Sequence, residues 1–348
     1  MSDYRSAGIS QGHAARLDAY RLSGPSPTRP ATTADACVAR LPALDLELGG
    51  RLEAGHVAYR ITGESHLPAV AVLGSISDGR DTGWWQPYVG PGRAVDTRRF
   101  RIIAMDWLGG CSASTHAAAL PRAAGDIPMI TPLDQAAALD ALLDALGIAQ
   151  LHACIGACYG GMTALALAAS FHARVARVVV LGAAHEPHPM ATALRAIQRG
   201  IVQLGTSAES ARTALVLART LDLTTARSAH DLAIRSAGAD RCAALRHLRQ
   251  QAECSADRLT ADAFLCLSQS HDLHSVDPRR IRVPVTAVAF EPDAVAPVWQ
   301  VRSLVEQLAG SWTLRVIRSR AGHDAFREET TVLEPIIADA LQSRVRAS

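Results

Sequence analysis

The pentapeptide Gly156-Ala157-Cys158-Tyr159-Gly160 follows a short apolar run, Leu151 to Ile155, and leads into a helical stretch, Met162 to Ala169. A strand that turns into a helix this abruptly leaves room only for small flanking residues. It also holds the central residue in a strained backbone conformation at the top of the turn. The pattern requires a sheet packed against helices and makes Cys158 a candidate nucleophile. A sulfur at this position faces the unpaired N–H groups and the positive dipole end of the following helix. An isolated cysteine is more often a small buried hydrophobe. Cys154, on the same strand, is read that way, as are Cys37, Cys111, Cys242, Cys254 and Cys266.

The rest of the chain fits such a sheet. Leu52 to Ile61 reads as a strand pair, and Ala69 to Leu73, Arg101 to Met105, Val178 to Leu181, Val283 to Phe290 and Leu314 to Ile317 read as short apolar strands. Helical spacing separates them at Leu133 to Leu146, Val298 to Leu308 and Thr331 to Leu341. Wholly apolar strands alternating with helices predict an α/β fold with a mostly parallel sheet buried on both faces. Residues 1–45, rich in Ser, Gly, Pro and Thr, are expected to form a flexible extension. The core then occupies 46–186 and 275–348. Between them, 187–274 carries helical spacing without a strand candidate and reads as an inserted helical lid.

Composition removes several kinds of chemistry. All 35 cationic side chains are arginine, against 33 acidic ones, so mechanisms that need a lysine amine are excluded. The near balance of charge, with no basic stretch interleaved with aromatics, argues against nucleic acid as a partner. The seven cysteines are scattered and contain no C-x-x-C pair, which points to neither a disulfide framework nor a metal site. With no leader-like or membrane-spanning apolar run, the expected location is the cytoplasm.

The order nucleophile, acid, histidine along such a chain selects Asp293, in Glu291-Pro292-Asp293 after one late strand, and His323, in Gly322-His323-Asp324 after the next. Glu291 is the nearest rival acid, expected at the strand end facing solvent. His323 would take the Cys158 proton while Asp293 orients the imidazole. The backbone N–H of Tyr159 and one from Ser75 or Ile76, in the loop Gly74-Ser75-Ile76, would form an oxyanion hole.

These residues occur with Asp81-Thr82-Gly83-Trp84-Trp85, the stretch Val89 to Phe100, Leu108-Gly109-Gly110-Cys111, Gln198-Arg199, Ser270-His271-Asp272-Leu273-His274 and His323-Asp324-Ala325-Phe326. Together they resemble the homoserine O-acyltransferases of the α/β-hydrolase superfamily. The resemblance implies acetyl or succinyl transfer from acyl-coenzyme A, a co-substrate rather than a bound cofactor, to an amino-acid hydroxyl. It further implies Arg199 on the acceptor carboxylate, Asp324 on its ammonium, and a homodimer formed through the lid. The chain departs from the family pattern at Cys158, where serine is usual, and at Arg258 to Phe264, where Asn, a small residue and Tyr are expected. These departures leave open serine or a specialised acceptor in place of homoserine, a cysteine hydrolase cleaving a lactone or thioester, and a non-catalytic ligand-binding descendant.

Overall fold

The computed structural model describes residues 37–121, 129–237 and 242–342. In chain order the elements are β1 (Cys37–Arg40), β2 (Leu44–Asp45), β3 (Arg51–Leu52), β4 (His56–Thr62), β5 (Ala69–Leu73), β6 (Arg101–Met105), α1 (Pro132–Ala145), β7 (Ala153–Ala157), α2 (Tyr159–Ser170) and β8 (Val178–Leu181). Then come α3 (Pro189–Gln203), α4 (Ala208–Ala226), α5 (Ala229–Arg235), α6 (Ala243–Ala256), α7 (Ala261–Asp272), β9 (Val285–Glu291), α8 (Val298–Glu306), β10 (Trp312–Arg318), α9 (Ala325–Glu328) and α10 (Thr330–Gln342).

The main sheet runs β1-β4-β6-β5-β7-β8-β9-β10. From β6 onward its strands are parallel, whereas β4 is antiparallel to both of its neighbours. The all-apolar strands predicted at β5, β7 and β8 are fully buried, and their alternating side chains divide between two cores. Val178 and Val180 join Leu139, Leu142 and Leu165 on the face covered by α1 and α2. Val179 and Leu181 join Val70, Ile155, Leu333 and Ile337 on the face covered by α10.

Two expectations change. The first 36 residues of the expected extension lie outside the described residues, but its end is structured: β1 pairs with β4, matching Val38 to Ala58. Its polar and small residues concealed a strand that needs to bury only one side chain, Ala39. Within Leu52 to Ile61, β3 and β4 do not pair with each other. β3 pairs with β2 in a separate two-stranded ribbon.

The segment read as a lid carries only helices, α3 to α7, among its described residues, and part of it packs around its own small core of Val202, Leu215, Ala218, Leu259 and Phe264. Its two ends meet at a neck. The Val276 N–H donates to the His185 carbonyl at 2.9 Å, and His274 Nε2, protonated, donates to the Ala184 carbonyl at 3.1 Å. Burial pushes His274 down to about 3, so it is neutral at physiological pH. A folded-state value below the unfolded one, about 6.5, means that protonation favours the unfolded chain and stability falls as the pH drops below that range. Replacing His274→Leu leaves a buried carbonyl unpaired and is expected to cost about 1–3 kcal/mol in denaturant unfolding at pH 7. The variant should also lose less stability than the parent between about pH 6.5 and 5. Parallel pH curves would disprove this assignment.

Candidate active site

Cys158 sits between β7 and α2 with φ 53° and ψ −120°, the one positive-φ residue other than glycine among the described residues. Such a conformation costs on the order of 1–3 kcal/mol and persists only when its surroundings enforce it. The enforcement is visible. The Cys158 N–H donates to the Leu181 carbonyl at 2.9 Å, its carbonyl accepts from Gly161 N–H at 2.9 Å, and Gly160 N–H donates to the Gly74 carbonyl at 2.9 Å. A Cβ on Gly156 would lie 2.2 Å from the Gly160 carbonyl oxygen, and one on Gly160 would lie 2.2 Å from the Leu73 carbonyl oxygen. Both glycines are therefore required by contact between backbones. Cys158 is partly exposed, whereas Cys154 is buried and its thiol is pushed up to about 12 by that burial, as a core cysteine should be.

Asp293 and His323 come together as the chain order predicted. His323 Nδ1 lies 2.8 Å from Asp293 Oδ2, and Asp293 Oδ1 accepts from the N–H groups of Val295 (2.7 Å) and Ala296 (3.0 Å). Both side chains are buried. The rival Glu291 is exposed and pairs with Arg318. Burial opposes a charge on His323, but Asp293 and Cys158 outweigh it and hold the imidazole well above its usual range. The other ring nitrogen, Nε2, is buried without a hydrogen-bond partner among the described residues. That is the nitrogen a Cys158 proton would reach.

The loop after β5 is rigidly held. Asp78 accepts from both the N–H and the hydroxyl of Ser75 at 2.7 Å, the Ser75 carbonyl accepts from Trp107 Nε1 at 2.9 Å, and Arg80, buried, joins Asp106 and Ser112. This corrects one expectation: the Ser75 N–H already has an acceptor, so of the expected oxyanion donors Tyr159 and Ile76 remain. Tyr159 opens α2, where a backbone N–H has no acceptor within the helix. Its side chain points away from that task, its hydroxyl 2.7 Å from Ser270 Oγ on the lid helix α7.

The alpha/beta hydrolase fold family model matches residues 74–330. A homoserine O-succinyltransferase of Xanthomonas campestris pv. campestris is 36% identical over 301 residues, 82% of this chain and 78% of its own. The chain belongs to the homoserine O-acyltransferase family. A serine O-succinyltransferase of Litchfieldella anticariensis is 30% identical, covering 84% of this chain and 94% of its own. The crystal structure of the homoserine O-acetyltransferase from Bacillus anthracis superposes with a TM-score of 0.81 over 90% of this chain and 99% of that one, at 17% identity, a likeness of fold.

In this acyltransferase the two residues that the resemblance assigned to the acceptor each have a protein partner. Arg199 is engaged within the lid: its Nη1 donates to the Ser268 carbonyl and hydroxyl at 3.1 Å and to Asp272 at 2.7 Å, and Arg195 holds the other Asp272 oxygen at 2.6 Å. Helical spacing put Arg199 on α3 but could not show that α7 supplies it with a carboxylate. Asp324 lies beside His323, raised by burial above the usual carboxylate range. The guanidinium facing it is Arg227, at 3.1 Å, reaching down from the end of α4. No motif in the sequence marked Arg227. His271, quoted in a motif but given no role, is buried with its ring 5.7 Å from that of Tyr159. Burial, then Arg195 and His323, hold it well below its usual range, hence neutral. Among the described residues no cluster could hold a metal ion and no helix is long and apolar enough to cross a membrane.

The His323 imidazolium, followed by the NMR shift of its ring proton, is expected to titrate above about 6.5, and Asp293→Asn to lower that value. Because the folded value exceeds the unfolded one, the associated stability is full below about pH 6.5 and is lost as the pH rises through the folded value. An unchanged titration in the variant would exclude Asp293 as its source.

Proposed function

We propose that the chain transfers an acyl group from acyl-coenzyme A to the hydroxyl of homoserine, or of the closely related serine, through a thioester on Cys158. The observation that carries this reading is the alignment of Asp293, His323 and the strained Cys158, with a guanidinium and a carboxylate, Arg227 and Asp324, next to the histidine.

Each step uses a group already placed. Cys158 sulfur attacks the thioester carbonyl as its proton passes to His323 Nε2. The carbonyl oxygen gains charge against the N–H groups of Tyr159 and Ile76. When the carbon–sulfur bond to coenzyme A breaks, His323 returns the proton to the departing thiolate. One thioester replaces another, so this half-reaction is close to thermoneutral. The acceptor hydroxyl then gives its proton to His323 and attacks the acyl carbon. An oxygen ester forms, the bond to Cys158 sulfur breaks, and the sulfur recovers the proton. Asp324 and Arg227, the latter shared at rest between Asp324 and Glu328, match an acceptor that carries both an ammonium and a carboxylate.

The reading includes a homodimer formed through the lid. Met190, Ile197 and Leu204 support it, being exposed at seven-residue intervals from the start of α3 to the residue that ends it. It also includes the cytoplasm as location.

Incubation with acetyl- or succinyl-coenzyme A should add one acyl mass to the protein, with one free thiol released per chain, and homoserine or serine should discharge it faster than water does. Cys158→Ala should abolish the adduct and lower transfer by about 10⁴-fold or more. Discharge by water alone would assign the site to a hydrolase, and failure to label with any donor would end the covalent mechanism.

A further inference from the structure

Beside the nucleophile lies a pair of donors that the proposed chemistry leaves unused. Arg327, on α9 just after the His323 turn, spreads its guanidinium 4.5 Å from the centre of the Trp84 ring and 5.2 Å from that of Phe326. Its Nη2 donates to the two Asp78 oxygens at 2.9 and 2.7 Å, with a longer contact to Ser75 Oγ at 3.4 Å. Its Nε and Nη1 make no hydrogen bond to a described residue, and its charge lies within electrostatic reach of Asp324 and Cys158. Under it, the Trp84 indole N–H is buried with no acceptor among the described residues. A buried donor without a partner is destabilising until an acceptor reaches it.

We propose that Trp84 and Arg327 form an acyl subsite that takes the terminal carboxylate of a dicarboxylic acyl group bound to Cys158. The subsite rests on the acyl-transfer reading above and specifies its donor.

Three features argue for a carboxylate. An indole N–H and a guanidinium are donors with no acceptor between them, so their complement is a group that only accepts. The guanidinium edge carrying Nε and Nη1 matches a carboxylate in a two-point contact while Asp78 holds Nη2 and fixes the plane. A cationic acyl chain would be repelled there, and a neutral one would leave the indole N–H unpaired. Asp324 does not compete for Arg327, because Arg227 holds it at 3.1 Å. The route from sulfur to subsite is apolar, since Trp84 and Cys158 pack against the same cluster, which includes Phe326. Methylene groups suit that path.

Acylation of Cys158 would be timed with succinyl-coenzyme A, acetyl-coenzyme A and 4-methylpentanoyl-coenzyme A, a neutral donor of similar shape to the first. The wild-type protein is expected to prefer the succinyl donor to the neutral one by about 10- to 100-fold, the range of one charge-assisted hydrogen bond. Arg327→Met should collapse that ratio, Arg327→Lys restore part of it, and Trp84→Phe reduce it by a smaller factor. Alkylation of Cys158 by iodoacetamide, which involves no acyl subsite, checks that each variant keeps its site. Equal rates with the succinyl and neutral donors, or a ratio that survives Arg327→Met, would overturn the subsite while leaving acyl transfer standing. Failure of all three donors to acylate the wild-type protein would overturn both.

Discussion

The contact between Gly156, Gly160 and the end of β5 is the constraint from which the site takes its coordinates. With no side chain between them, β7 and α2 approach until only backbone separates them, and the same approach seats Gly160 on the Leu73 carbonyl. β5, β7 and α2 therefore form one unit. Cys158 is held at a positive φ by that unit, and the loop carrying Ile76 and Asp78 leaves β5 within bonding distance of it, through Gly160 N–H and the Gly74 carbonyl. A methyl group at either glycine would displace Cys158 and the loop after β5 together.

A second layer is ionic, and arginine supplies all of its cations. Within the lid, Asp272 is gripped by Arg195 and Arg199. Between lid and core, Arg227 reaches Asp324 and Glu328. Within the core, Arg327 ties the histidine-bearing turn to Asp78 on the loop after β5. These partly buried forks gain more from fixed geometry than exposed pairs do. They also link the lid's position to the residue next to His323.

Much of this was legible in the sequence because its signals are local. The apolar runs of β5, β7 and β8 could only be doubly covered strands, and the elbow glycines announced a backbone contact before any coordinates. Asp293 and His323 followed from chain order, since late parallel strands end on the same edge of the sheet as Cys158. What could not be read depended on pairing across long sequence distances. The N–H of Ser75 is taken by its own loop, Arg199 by a carboxylate 73 residues away, and Arg227 finds Asp324 only because the lid folds over the core. β1 escaped notice because an edge strand that buries one residue of four carries little hydrophobic pattern.

The neck at Ala184, His185, His274 and Val276 has a consequence for how such a protein can diversify. Both ends of the insertion are fastened to each other at the sheet margin, so the chain enters and leaves the helical segment at one place, while Arg227 and Ser270 tie its helices to the core. None of its residues takes part in the strand register or in the glycine contact beneath Cys158. The helical segment can thus vary in sequence while the sheet and the turn at Cys158 keep their backbone, provided that Arg227 keeps its place beside Asp324.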